Sequence, residues 1–241
     1  MTIIDSIKTS MFVPIHPAGI PFIAIFAIFT LLIGWFWSPL YFFGLVLTLW
    51  CVYFFRNPVR VTPTLSGINK NNLIIAPADG RVIEISQITP EEDIGLPVGN
   101  WTRICIFMNV FDVHVNRSPM LGKIFYKNYI PGSFFNASLD KASSENERLI
   151  LGMDTENGKK IAFVQIAGLV ARRIICDVDI GSSLKVGEVF GLIRFGSRVD
   201  VYFPSDVSVM VLKGQKMIAG ETIIGDFTKS SKSVKDNLDE K

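Results

Sequence analysis

Two short segments carry side chains suited to acid–base chemistry. His114 lies in FMNVFDVHVNRSP, and an imidazole can move protons near neutral pH. An imidazole satisfied by one hydrogen bond in a strand is the structural alternative. Asp79 lies in IIAPADGRV, directly before a glycine. A carboxylate there could orient an imidazole, but an Asp-Gly pair is also ordinary turn chemistry.

A nucleophile is available at Gly196-Ser197, in the segment RFGSRVDVYFP between two runs typical of strands. The same dipeptide occurs at 132–133 and 181–182, and most such pairs are turns. Spacing and composition therefore do not select the reactive pair. A metal site built from several histidines is excluded, since His16 is the only other histidine in the chain.

The elements that must position these residues are predicted to be β-strands. From residue 57 to about 227, short β-prone runs alternate with Gly, Pro, Asn and Asp. This pattern predicts a mainly β fold, a compact barrel or sandwich at 61–228, with few helices beyond the N-terminal region. The tail at 229–241 has few apolar side chains and is predicted to be disordered. Candidate strands include 73–76, 81–85, 103–108, 123–130, 148–151, 160–166, 170–176 and 199–203.

The N-terminal region is predicted to be a membrane anchor at 1–60. No Asp, Glu, Lys or Arg occurs in residues 9–55, and two apolar runs, 20–37 and 40–55, are separated by Ser38-Pro39. A hydrocarbon core of about 30 Å needs roughly 20 helical residues. The runs therefore fit two short helices in a hairpin, or one helix with a re-entrant segment. A cleaved signal peptide fits poorly, because the region is too long and lacks a clear small-residue cleavage site.

Charges flanking this region predict its orientation. Lys8 precedes it, while Arg56 and Arg60 follow it, so the positive-inside rule places both flanks and the following domain in the cytoplasm. We therefore expect attachment to the inner cell membrane. The two arginines are topology anchors in the simplest interpretation, or could attract anionic headgroups by about 1 kcal/mol each.

Overall composition restricts the partners and ligands. The chain has 24 basic and 22 acidic residues, a net charge of +2, so no strong bulk field points to nucleic acid. Three widely spaced cysteines, Cys51, Cys105 and Cys176, form no CxxC pair, which argues against a disulfide framework or a zinc site.

The order of four motifs is more specific than any one of them. PADG, DVHVNRSP, NERL at 146–149 and FGSRV follow one another as in phosphatidylserine decarboxylases. FFRNPVR after the apolar region, and SFFNASLDKASSENER, resemble the short, membrane-associated type of this family. The resemblance spans roughly residues 54–226.

This resemblance implies a proenzyme that cuts itself between Gly196 and Ser197. The hydroxyl of Ser197 would attack the carbonyl of Gly196, and elimination with loss of ammonia would convert Ser197 into an N-terminal pyruvoyl cofactor. Glycine suits the position because it permits strained backbone and close approach. The fragments 1–196 and 197–241 would remain together as a heterodimer in a shared β core.

The resemblance also implies the reaction. The pyruvoyl group would condense with the amine of phosphatidylserine in the membrane and accept the electrons released as CO₂ leaves. His114 would protonate the resulting carbanion to give phosphatidylethanolamine, and Asp79 and Ser197 match the family's catalytic positions. Arg117, however, stands where longer members have a second histidine that activates the serine. Either His114 serves both self-cleavage and decarboxylation, which we favour, or cleavage relies on strain, Asp79 and water.

Two other functions fit parts of the sequence. A non-enzymatic, membrane-tethered β scaffold or carrier would keep Gly196-Ser197 as an ordinary turn and remain one intact chain. A pyruvoyl decarboxylase for a small amino acid would cut itself but would not need the apolar hairpin. A homo-oligomer is compatible with either decarboxylase.

Overall fold

The computed structural model describes residues 13–63, 70–138, 145–169, 173–194 and 196–230. The described chain falls into two compact units that divide between Val59 and Arg60. The first unit is helical and the second is built from strands.

The first unit is a pair of apolar helices. Helix α1 spans Ile20–Phe36 after a short 3₁₀ turn at Pro17–Gly19, and helix α2 spans Ser38–Phe54. Trp37 between them has extended backbone, and the proline that follows Ser38 is tolerated because it lies in the first turn of α2. The helix at 17–36, with a mean hydropathy of 2.3, is long and apolar enough to cross a membrane by length and composition.

The two helices pack against each other as an antiparallel hairpin. The hydroxyls of Thr30 and Thr48 lie 3.1 Å apart. A Cβ on Gly44 would lie 2.6 Å from Thr30 Oγ1, so glycine allows the helices to approach closely here. Nearer the turn, Gly34 lies against Tyr41. The predicted helical hairpin is therefore confirmed as a fold.

The second unit is mainly β, as predicted. Its described helical segments include 3₁₀ turns at Lys70–Asn72 and Glu92–Ile94. The strands are β1 (Leu73–Ile75), β2 (Gly80–Ile88), β3 (Trp101–Met108), β4 (Val115–Arg117), β5 (Gly122–Ile130), β6 (Arg148–Thr155), β7 (Lys160–Ala167), β8 (Ile174–Cys176), β9 (Ser183–Leu184), β10 (Val189–Ile193), β11 (Ser197–Pro204), β12 (Val207–Val209), β13 (Lys216–Met217) and β14 (Ile223–Ser230).

These strands form three sheets with antiparallel pairing. The large curled sheet has the order β13-β2-β3-β11-β7-β6-β5-β9, and two smaller sheets have the orders β4-β10-β8 and β1-β14-β12. Strand β11 lies near the middle of the large sheet, hydrogen-bonded to β3 on one side and β7 on the other.

The main hydrophobic core receives side chains from all three sheets, among them Ile74, Ile106, Phe163, Phe190 and Val199. The rings of Phe163 and Phe190, from different sheets, lie 4.9 Å apart. A second cluster, which includes Trp101 and Tyr202, covers the opposite face of the large sheet. Alternation along β11 therefore buries both of its faces, which fixes its register strongly.

Most predicted strands are confirmed to within a few residues, with one shorter than expected. Strand was predicted over 170–176, but among the described residues β8 covers only Ile174–Cys176. The sequence analysis also missed β4, β10 and β14. The last strand includes Lys229 and Ser230, the first two residues of the predicted tail, and 231–241 lie outside the described residues.

Candidate active site

The structure separates the three Gly-Ser pairs that sequence alone could not rank. Ser133 is exposed, and Ser182 is half-buried in a turn, where its hydroxyl accepts a hydrogen bond from the N–H of Asp179. Ser197 is fully buried as the first residue of the central strand β11. Ser197 is therefore the one buried serine among the three pairs.

Gly196 and His114 are in direct contact. The N–H of Gly196 donates a hydrogen bond to His114 Nε2 at 3.3 Å, and His114 is fully buried. Gly196 has a φ of +65°, in the left-handed region that glycine adopts at low cost. A Cβ there would meet nothing within 4 Å, so the backbone conformation and not crowding favours glycine.

A turn after β3 sets the orientation of the imidazole. The side chain of Asp112 accepts from the N–H of Asn109, and the side chain of Asn109 accepts from the N–H of Phe111. The backbone carbonyl of Asp112 then lies 3.0 Å from His114 Nδ1. Because Nε2 accepts from Gly196, the proton is assigned to Nδ1, which donates to Asp112. The imidazole is thereby neutral, with a basic nitrogen at the Gly196 backbone.

The Ser197 hydroxyl is buried and has no hydrogen-bond partner among the described residues. Leaving a buried hydroxyl unpaired costs about 1–3 kcal/mol, so such a group in a folded protein calls for a functional explanation. Ser197 pairs in register with Met108 of β3 and Ala167 of β7, which fixes its backbone on both sides.

Asp79 is not the group that orients His114. Its carboxylate receives two hydrogen bonds from Arg60 Nη2, at 3.0 and 2.8 Å, and one from the N–H of Ala219 at 2.8 Å. Burial raises the pKa of the Asp79 carboxyl, the charge of Arg60 and the bond from Ala219 lower it, and the charge of Asp112 raises it, for a net rise. The hydrogen bonds of the Asp79 carboxylate in the described chain therefore go to Arg60 and Ala219 and not to His114.

Arg117 belongs to the same group of charged side chains as Arg60 and Asp79. Its Nη1 donates to the carbonyl of Gly187 at 3.0 Å. Burial lowers the pKa of Arg117, as does the charge of Arg60, whereas Asp79 and Glu221 oppose this. Arginine stays protonated in proteins, so this position holds a cation near Asp79 and not a base. Arg117 therefore cannot act as the base that the second histidine supplies in longer family members.

The sequence analysis missed other polar groups around the strand end. Asn116 and Gln165 are fully buried, and Gln165 Nε2 donates to Asn116 Oδ1 at 2.8 Å. Gly168, just after β7, lies against the carbonyl of Gly196. Asn116 lies within DVHVNRSP, a motif in which only the histidine and arginine were weighed, whereas no local pattern distinguishes Gly168 from a turn glycine.

Comparison with known proteins agrees with this geometry. Residues 47–225 match the sequence profile of phosphatidylserine decarboxylases. The chain belongs to the phosphatidylserine decarboxylase family. It is also similar to a protein of Ruegeria pomeroyi named phosphatidylserine decarboxylase proenzyme, with 53% identity over 214 residues, which cover 89% of this chain and 95% of the relative.

Family membership makes the chain a decarboxylase, a carboxy-lyase, and its similarity to the proenzyme supports synthesis as a precursor. The matched part of the decarboxylase contains Asp79, His114, Gly196 and Ser197. It also contains the NERL motif at 146–149. Helix α1 precedes the matched part, so the apolar hairpin is supported by the chain's own composition and geometry.

Proposed function

We propose that the chain decarboxylates phosphatidylserine to phosphatidylethanolamine and CO₂ after cutting itself between Gly196 and Ser197. The observation that carries this is the strand end itself. A left-handed glycine bonded to an imidazole is followed by a buried serine whose hydroxyl has no hydrogen-bond partner in the described chain. Family membership supports the decarboxylation.

Self-cleavage starts with the Ser197 hydroxyl. Its Oγ attacks the carbonyl carbon of Gly196, and the Gly196–Ser197 peptide bond breaks to give an ester and a free amine. Loss of the Ser197 α-proton then breaks the Cβ–Oγ bond, which releases the Gly196 carboxylate. Addition of water to the remaining unsaturated residue expels ammonia and leaves a pyruvoyl group at position 197.

His114 is the base best placed for the first step. Its unprotonated Nε2 lies 3.3 Å from the Gly196 nitrogen, on the residue that precedes the bond to be cut. Rotation of the unpaired Ser197 hydroxyl toward this imidazole would complete the contact, since catalytic hydrogen bonds often tighten only on the way to the transition state. The same imidazole would then hold the proton delivered to the leaving amine.

The strand end also fits the cofactor, because the residue that becomes the pyruvoyl group is already enclosed at 197. A pyruvoyl carbonyl supplies an electron sink for decarboxylation of an amine-bearing substrate. After cleavage, His114 remains beside this position and would deliver a proton from Nε2 to the substrate carbon that loses CO₂. Asn116 and Gln165 provide buried polar groups close by.

Asp79 supports the site in a different way from the one expected from sequence. It binds Arg60, which precedes the cut, and the N–H of Ala219, which follows the cut. We assign it the role of holding the two fragments in register beside the His114 turn. Its part in self-cleavage would be exerted through this register, since its hydrogen bonds in the described chain do not reach His114.

The sheet topology supports a stable heterodimer of fragments 1–196 and 197–241. Strand β11 lies between β3 and β7, while β13 pairs with β2 and β14 pairs with β1. Three strands of the smaller fragment are thus hydrogen-bonded to the larger one. Shared burial in the main core would keep the fragments together after one peptide bond is broken.

The helical hairpin supports a membrane-bound enzyme, which a diacyl lipid substrate requires. Apolar side chains are exposed around both helices, a pattern typical of helices in lipid. Trp35 and Trp37 at the turn are 88% and 62% exposed, as expected for an interfacial aromatic belt. We infer an anchor in the inner membrane with the catalytic unit on the cytoplasmic side. Arg60 is engaged by Asp79, which disfavours a role for it in attracting headgroups.

Denaturing intact-mass measurement on the purified protein and on Ser197→Ala tests this function. We expect two wild-type fragments that meet at 196/197, the smaller with the mass of a pyruvoyl start, and one uncut variant chain. An uncut wild-type chain that is folded would favour the scaffold function. Release of CO₂ from phosphatidylserine vesicles but not from free serine would separate the lipid enzyme from a small-amino-acid decarboxylase.

A further inference from the structure

Gly168 is in direct contact with the carbonyl group that self-cleavage must attack. A Cβ built on Gly168 would lie 1.9 Å from the oxygen of Gly196 and 2.9 Å from its carbonyl carbon. Real Cβ atoms do not approach other atoms this closely. The backbone of Gly168 is not in the left-handed region, so its conformation is open to other residues. Glycine is therefore needed at 168 for the space that the Gly196 carbonyl fills.

Asn146 fixes the chain on which Gly168 lies. Its Nδ2 donates to the carbonyl of Ala167 at 2.7 Å, which is the peptide group joined to Gly168. The same amide donates to the carbonyl of Phe135 at 2.8 Å, and its oxygen accepts from the N–H of Phe135 at 3.0 Å. Asn146 is fully buried, so these bonds are shielded from water.

Two further contacts fix the chain around Gly168. The carbonyl of Glu147 accepts a hydrogen bond from the N–H of Ala167 at 2.9 Å, which ties the end of β7 to the NERL motif. The methyl group of Ala137 lies 3.3 Å from the Cβ position of Gly168 and closes the other side. The segment after Phe135, the NERL motif and the end of β7 thus meet at the Gly196 carbonyl.

We propose that Gly168 and Asn146 are positioning residues for self-cleavage. Together they hold the carbonyl group of Gly196 toward the Ser197 hydroxyl. This rests on the proposed cut at 196/197. Attack on a carbonyl depends steeply on alignment, and a displacement of about 1 Å can cost on the order of 100-fold in rate. Since the oxygen lies against the Gly168 α-carbon, a single methyl group there must displace the carbonyl.

The test compares Gly168→Ala with Gly122→Ala in the full-length chain. Gly122, which lies in β5 and apart from the cut, is a matched control. A Cβ on Gly122 would lie 2.4 Å from the backbone oxygen of Asp154. Both variants are produced by cell-free synthesis into vesicles, and the uncut fraction is followed by intact mass. Near-ultraviolet circular dichroism against Ser197→Ala checks the fold of the uncut chains.

We expect Gly168→Ala to slow cleavage by about 100-fold while the precursor stays folded. Hydroxylamine should release no fragments from this precursor, because the Ser197 hydroxyl fails to attack and no ester forms. The midpoint of the pH profile of cleavage should be unchanged, since His114 is untouched. Gly122→Ala should cut at the wild-type rate per folded molecule. Equal slowing of cleavage in both glycine variants, or a shifted midpoint of the pH profile, would mean that the effect is a general structural one. Either result would overturn the proposal.

Asn146→Ala provides a second variant should Gly168→Ala not fold. It removes the two donors without adding bulk, and we expect cleavage slowed at least tenfold with the same unchanged midpoint. Wild-type cleavage rates in the folded Asn146→Ala chain would reject the proposal. A wild-type chain that does not cut would instead reject the proposed function, so the two failures are distinguishable.

Discussion

His114 Nε2 accepts a hydrogen bond from the N–H of Gly196 across 82 residues of sequence, at 3.3 Å. On the far side of the ring, the Asp112 carbonyl holds Nδ1 at 3.0 Å. Both ring nitrogens of His114 are thus held by hydrogen bonds. The unprotonated Nε2 lies at Gly196, the residue whose peptide bond to Ser197 would be cut. This single contact joins the motif around His114 to the motif around Ser197.

His114→Ala should slow self-cleavage by about 10² to 10⁴-fold, the usual contribution of a positioned acid–base group. Intact mass over time after synthesis measures the rate. Asp112→Asn is the matched control, since His114 Nδ1 donates to the backbone carbonyl of residue 112, which this substitution keeps. If His114→Ala cut itself at full rate yet failed to release CO₂ from phosphatidylserine vesicles, the dual role of the imidazole would be wrong.

Gly196→Ala should slow cleavage on the order of tenfold, because the left-handed conformation at φ +65° costs a non-glycine residue roughly 1–2 kcal/mol. Gly158→Ala is the control. Gly158 has a φ of +76° and open space around its Cβ position, as Gly196 does, but lies in the turn between β6 and β7. We expect similar losses of unfolding free energy from both and slower cleavage only from Gly196→Ala. Equal cleavage rates would show that the backbone conformation at 196 is not used.

Asp79 should make folding stability depend on pH. Burial raises its pKa in the fold, so the native state favours the neutral carboxyl. Stability from this group is therefore full below its ordinary pKa of about 4 and is lost as pH rises through the raised value. The loss is about 1.4 kcal/mol for each pH unit that separates the folded pKa from the unfolded one. Asp79→Asn is neutral throughout and removes this slope.

The comparison requires uncut protein, so both chains should carry Ser197→Ala. Urea unfolding in detergent between pH 4 and 8 gives the free energies, and Asp206→Asn, at an exposed position, corrects for the loss of one charge. The free energy of wild-type Asp79 minus that of Asp79→Asn should fall with increasing pH. A difference that rises with pH would mean that the Arg60 ion pair outweighs burial.

The strands were predictable where β-prone runs are bounded by turn residues, as in β3 and β5, because period and punctuation are local. Strand β10 was missed since its run VFGLI is short and contains Gly191, whose Cβ would lie 2.1 Å from the Ile175 oxygen. That glycine resembles a turn signal in sequence, but it is required by close packing of β10 on β8. Close approach between distant strands leaves no local pattern.

The site residues, too, were predictable where a local motif marks them and not where only a contact between distant segments does. Motif order identified His114, Gly196 and Ser197, which the fold brings to one strand end. The turn at Asp79 suggested that its carboxylate could orient an imidazole, but the choice between Arg60 and His114 as its partner depends on the path of the chain after Val59. Gly168 carries no signal in the sequence, since the role proposed for it arises only from contact with a carbonyl 28 residues away.

The last prediction concerns the anchor, for which the sequence left a spanning hairpin and a re-entrant segment open. Helices α1 and α2 have 17 residues each, about 25 Å, which nearly spans a core of about 30 Å. Their turn presents exposed Trp35 and Trp37, suited to the far interface. A spanning hairpin whose two ends are cytoplasmic, as the flanking charges predict, therefore places Ser38 on the non-cytoplasmic side of the membrane.

Ser38→Cys, expressed in cells and treated with a membrane-impermeant maleimide, should be labelled in spheroplasts and protected in inverted membrane vesicles. The unsubstituted protein is the control for Cys51, Cys105 and Cys176, of which the first two are buried. Labelling only in inverted vesicles would place the turn on the cytoplasmic side, as a re-entrant segment requires. Labelling on neither side until detergent is added would place the turn within the hydrocarbon core and would equally reject a hairpin that crosses the bilayer.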